Sequence, residues 1–179
     1  VATAQGGVER LRTNQGRWTL DTSFSTSTEL DALSLHDLAW ARDGSLWAAA
    51  PEEVIKLDNA RSPSLTVTRF GETSGLPVSR DMRVFTVGDG VFVGTRNGLY
   101  RHVDTTAASS FVPDTTFEAS WAEEDAYVTH LIETAGGGVW GRAVENDADG
   151  GKVITSIYQG PAVQVHNSRP LVPFRDVIR

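Results

Sequence analysis

Three stretches of this chain can be laid over one another, and that superposition constrains the fold more than any other feature. They are "HDLAWARDGSLWAAAPEEVIKLD" (36–58), "RDMRVFTVGDGVFVGTRNGLYRHV" (80–103) and "THLIETAGGGVWGRAVEN" (129–146). In each, an alternating run enters a Gly turn: Asp43-Gly44, Asp89-Gly90, or Gly136-Gly137-Gly138. An apolar residue and an aromatic follow, as Leu46-Trp47, Val91-Phe92 and Val139-Trp140. Small residues come next: Ala48-Ala49-Ala50, Val93-Gly94-Thr95 and Gly141. A third strand answers at equal spacing in the first two copies, Val54-Ile55-Lys56-Leu57 against Leu99-Tyr100-Arg101-His102. "SLTVTRF" (64–70) and "SSFVPDTTF" (109–117) hold the place of a fourth.

A repeat of about 45 residues carrying four short strands is the signature of a propeller blade. A four-stranded antiparallel sheet with apolar residues on both faces cannot bury itself and must stack on neighbours. The expectation is therefore an all-β chain of β-propeller blades, each of four antiparallel strands, about four blades' worth in total. It reads as a fragment of a larger propeller of seven or more blades, a single segment over 1–179. Residues 6–24 would supply the last two strands of a first blade, with further blades at 36–70, 82–117 and 128–166. "LVPFRDVIR" (171–179) would begin another. Trp47, Phe92 and Trp140 are expected as wedges between sheets. "SWAEEDAYVTHLIE" (120–133) is the one helix-like stretch, and the repeat register makes its second half a strand. A β-sandwich is the alternative architecture.

The formal net charge is −7, with no local Lys/Arg cluster, which argues against a nucleic-acid partner. Zero cysteines remove disulfides, thiolate metal sites and Cys nucleophiles together. No apolar run reaches the roughly 18 residues of a membrane span. No signal-peptide pattern is visible in "VATAQGGVERLRTNQGRW".

Chemical motifs are sparse. His36, His102, His130 and His166 form neither an H-x-x-x-H nor an H-E-x-x-H pair. His36 and His130 do open the first strands of two units, which in a propeller places them near the inner rim; a hydrogen-bonded structural histidine is the competing reading. No nucleophile elbow, Walker loop or dinucleotide fingerprint occurs. The glycines are better read as hairpin turns needing positive φ at Asp43-Gly44, Asp89-Gly90 and Asn97-Gly98. In "ENDADGG" (145–151), Glu145, Asp147 and Asp149 alternate like half of a calcium loop, but the twelfth position is Ser156 instead of Glu. An acidic hairpin tip accounts for them equally. The connecting loops "WAEEDAY" (121–127) and "GETSGLPVSRD" (71–81) should share one rim, where propeller ligands bind. The candidate ligand-binding set is Arg80, Asp81, Trp121, Glu123, Glu124, His36 and His130, with no catalytic residue and no cofactor.

"DGSLWAAAPEEVIKLD" and "GLPVSRDMRVFTVGDGVFVGTRNGLYRHV" resemble the two-component regulator propeller repeat. That family places a GLP-type turn before the first strand, then D-G, an apolar–Trp pair, G-T and G-L-Y-R. The second copy is close. The first lacks both later glycines, and the third has a longer hairpin between Trp140 and Val153. The resemblance implies an extracytoplasmic, non-catalytic sensor module, on the periplasmic or outer side of a bacterial inner membrane, upstream of a membrane helix and a kinase or cyclase. Its partner would be a small molecule such as a carbohydrate, or a protein. Membrane attachment would come only through parts outside these residues. Open blade faces would favour homo-oligomers. An enzyme on the same architecture, such as a lyase resembling the streptogramin-inactivating family, and an interaction scaffold are the alternatives.

Overall fold

The computed structural model describes residues 8–21, 34–59, 65–106, 108–117, 121, 126–135, 137–145 and 158–161. Within them the chain is all-β, with a short 3₁₀ turn at Glu72–Ser74. A hairpin of β1 (Leu11–Asn14) and β2 (Arg17–Leu20) precedes three antiparallel sheets. The first sheet runs β3 (Asp37–Trp40), β4 (Leu46–Ala50), β5 (Glu53–Asp58), β6 (Thr66–Phe70). The second runs β7 (Arg83–Val87), β8 (Gly90–Thr95), β9 (Gly98–Asp104), β10 (Ser109–Pro113). The third contains β11 (Ala126–Glu133), β12 (Gly138–Glu145) and β13 (Tyr158–Pro161). In every sheet the strands pair in chain order, and none closes on itself among the described residues.

Stacking explains why β4 is apolar throughout and β8 nearly so, instead of alternating with polar residues. Successive side chains of a strand point to opposite faces. Trp47 and Ala49 of β4 join Val84, Val91 and Val93 of the second sheet in one core. Leu46, Ala48 and Ala50 join Ile55, Leu57, Val8 and Leu35 in another. β8 repeats the scheme: Val91 and Val93 pack toward the first sheet, while Phe92 packs with Val128, Val139, Phe117 and Trp121. The three sheets are thus layered in series through two shared cores.

Polar groups hold the large aromatics in place. The Asp43 carboxylate accepts from the Ser45 backbone N–H at 2.8 Å and from its hydroxyl at 2.6 Å. The Ser45 oxygen in turn accepts from Trp47 Nε1–H at 3.0 Å. The hydroxyl bond is the main reason why the Asp43 pKa lies below its ordinary value. The indole then stacks on Phe70 at 5.4 Å and meets Phe111 and the His102 ring edge-on at 6.0 and 4.8 Å. Between the second and third sheets the backbones themselves touch. A Cβ added at Gly94 would lie 2.1 Å from the Val128 carbonyl oxygen, so no larger residue fits without moving main chain.

Two expectations need correction. Trp140 is 41% exposed and is not a buried wedge among the described residues, because no described sheet follows the third one. Its cross-strand partner Ile132 is 58% exposed. In the second sheet, positive φ falls on Gly88 and not on Gly90, which already belongs to β8. There the absence of a Cβ makes room for the Phe92 ring, 2.7 Å from where that atom would be.

Candidate functional site

The first strands of the three sheets lie side by side, with β7 between β3 and β11. Pairing across each hairpin fixes their common register. Ala39, Phe85 and Ile132 stand opposite Trp47, Phe92 and Trp140, respectively. Two residues earlier on each first strand come Asp37, Arg83 and His130, opposite Ala49, Gly94 and Arg142. The repeat therefore places three ionisable side chains at equivalent positions of three adjacent strands.

All three line one cleft of about 470 Å³. Phe85, Leu131 and Ile132 give it apolar wall; Tyr127, Thr129 and Arg142 add polar groups. Its volume lies in the range of small-molecule sites. Asp37 has a structural duty there: its carboxylate accepts from its neighbour Leu38 N–H at 3.0 Å and, across the sheet junction, from Val84 N–H at 3.1 Å. The Tyr127 hydroxyl donates to the Asp81 carbonyl at 2.8 Å. His130 is exposed, with Nδ1 3.0 Å from the Thr129 hydroxyl.

The cleft arginines differ from most of the other described cations. Arg10, Arg12, Arg42, Arg69, Arg80, Arg96 and Arg101 each face a carboxylate within ion-pair distance. Among the described residues Arg17, Arg83 and Arg142 have none, and two of these three line the cleft. Arg142 also breaks the repeat, since the equivalent positions are Ala49 and Gly94.

Of the residues expected to bind ligand, His130 lines this cleft. His36 lies just before β3 and donates Nε2–H to the Met82 carbonyl at 2.5 Å, joining first and second sheets. Arg80 is exposed and faces Glu52 at 3.8 Å. The Asp81 carboxylate is held by Arg96, whose Nε–H donates at 2.7 Å. Trp121 is 1% exposed, its ring packed over Gly141 and near Phe117. Glu123 and Glu124 lie outside the described residues, as do Asp147 and Asp149; Glu145 ends β12. Among the described residues, no three His, Asp or Glu side chains converge as metal ligands would. Nor is any helix long and apolar enough to cross a membrane. Arg83, Arg142, Asp37 and Tyr127 were not anticipated. The signal was present in the repeat itself: aligning the copies puts Asp37, Arg83 and His130 in one column.

A second polar cluster joins all three sheets at their hairpin ends. Arg42 donates to Glu133 at 2.9 Å and lies 3.6 Å from Asp89, while Gly88 N–H donates to Glu133 at 2.9 Å. His102 sits apart from both clusters, boxed by Trp47, Phe70 and Phe111, with Nε2 2.7 Å from the Ser109 hydroxyl. Burial pushes its pKa below the ordinary imidazole value; Asp104 opposes this, Lys56 adds to it and Asp43 opposes it weakly.

A scan against protein-family models finds no match for this chain, and a search of curated proteins finds none that is similar.

Proposed function

We propose that the chain is a segment of a β-propeller, each sheet a blade, serving as the non-catalytic ligand-sensing input of a two-component regulatory system. The blades would span 36–70, 82–117 and 128–166, and the module would act outside the cytoplasmic membrane of a bacterium. The observation that carries the ligand-binding part is the cleft along the first strands, where propeller blades meet and where small molecules bind in such folds. Sensing follows naturally from that position, because one ligand there touches three sheets. The two-component assignment rests on the resemblance of "GLPVSRDMRVFTVGDGVFVGTRNGLYRHV" to the regulator propeller repeat.

An enzyme such as a propeller lyase would need a free acid–base pair. The His36 Nε2–H and the Asp37 carboxylate are both engaged by backbone groups, which favours binding over turnover. Titration with a panel of small metabolites, sugars included, tests this. Saturable binding with unchanged ligand supports a sensor, whereas product formation would sink it. A scaffold reading is favoured by one observation, the exposed Ile132–Trp140 pair. In the first two sheets the corresponding register is covered by the following sheet, so a further sheet of the same repeat is its matching occupant.

A further inference from the structure

We infer that the first-strand cleft is an oxyanion site: it takes a small organic acid whose carboxylate or phosphate lies between Arg83 and Arg142 and whose apolar part rests on Phe85 and Ile132. This deepens the ligand-sensing reading and rests on it. Three observations converge. First, in a chain of net charge −7, seven of the ten described arginines face a carboxylate, whereas the two in the cleft do not. An unmatched guanidinium presents planar donors in the geometry that carboxylate and phosphate oxygens fit bidentately.

Second, the one acid that lines the cleft does not neutralise them. Asp37 is turned to the Leu38 and Val84 N–H groups, and no ion pair joins it to either arginine. Third, Arg142 stands where the other two sheets carry Ala49 and Gly94, directly across from His130. Cross-strand neighbours of this kind have Cβ atoms about 5 Å apart. The third sheet therefore offers a cation and an imidazole side by side at a position that packing alone fills with a small residue. The Thr129 hydroxyl, which donates to the Arg142 carbonyl at 3.4 Å, ties this strand pair together beside His130. The apolar wall separates this site from a simple counter-ion patch, since Phe85 is partly buried against the core behind it.

The test uses the full chain with four probes: benzoate, phenyl phosphate, inorganic phosphate and the neutral benzyl alcohol. Binding is followed by calorimetry and by backbone amide shifts at Val84, His130 and Arg142. The expected result is saturable binding of benzoate or phenyl phosphate, weaker binding of inorganic phosphate, and none of benzyl alcohol. Which of the two aromatic anions binds better distinguishes a carboxylate from a phosphate ligand. Arg142→Gln and Arg83→Gln should each weaken the bound anion about ten-fold or more, while Arg69→Gln on β6 leaves it unchanged. Arg83→Lys keeps the charge but not the fork and should fall between, which guards against loss of fold in the Gln variant. The proposal is overturned if no anion binds, or if neither arginine variant weakens binding. Equal binding of benzyl alcohol overturns it too, while leaving ligand sensing intact; a failure of the wider metabolite panel would remove that reading as well.

Discussion

Two single side chains, His102 and Asp43, each contribute a pH-dependent step to the stability of this chain. The folded-state pKa of His102 lies below its ordinary value of 6.5 because its ring is boxed by Trp47, Phe70 and Phe111. On acidification the unfolded chain takes up that proton first. The stabilisation is therefore present above pH 6.5 and is lost as pH falls below it toward the folded pKa. Melting temperature should drop between about pH 7.5 and about pH 5.5, and His102→Phe, which keeps the aromatic contacts, should flatten that part of the profile. Asp43 works in a lower window. Its folded pKa is depressed, so its contribution is present above 3.8 and disappears as pH falls through the folded value. The two steps are separable by pH alone. Ser45 links Asp43 to the buried indole of Trp47, so Ser45→Ala leaves Nε1–H without a partner. We expect a loss of about 1–3 kcal/mol in urea unfolding, with a blue or red shift of the tryptophan emission reporting the site.

At the level of strands and sheets, the contacts that cannot be relaxed are those between main chains. Gly94→Ala forces a methyl group against the Val128 carbonyl and should cost about 2 kcal/mol or more. Gly44→Ala meets nothing within 4 Å but must hold a φ of 86°, and should cost only about 1 kcal/mol. If both substitutions cost the same, backbone contact is not what fixes the junction. The Arg42–Glu133–Gly88 tie is half in water, so Glu133→Ala should change global stability by less than about 1 kcal/mol. Its effect should instead appear as faster amide exchange at Gly88. Much of this layer was legible beforehand, because strand alternation and a repeat read from Trp47 and Phe92 dictate which faces pair. The cleft was less so. Attention to loop residues such as Arg80 and Asp81 followed their place on the expected ligand-binding rim, yet their charges have local partners, Glu52 and Arg96. What marks Arg83 and Arg142 is the lack of such a partner among the described residues, and a list of residue types cannot show that.

Across the whole molecule, burial is uneven in a directed way. Trp47 and Phe92 are covered, whereas Trp140 in the same register is not. If self-association uses that face, sedimentation should show it weakening in Trp140→Ser with little loss of melting temperature. An unchanged association would send the search to the β1–β2 hairpin, where Trp18 is 70% exposed. The Gly94–Val128 contact carries a mechanical implication. A junction of backbone on backbone has no side chain to compress, so the second and third sheets cannot come closer there. Arg83 pairs directly with Gly94, so on the ligand-sensing reading proposed above an anion that draws Arg83 toward Arg142 would have to be accommodated by tilt about this contact instead of by closer approach of the two sheets.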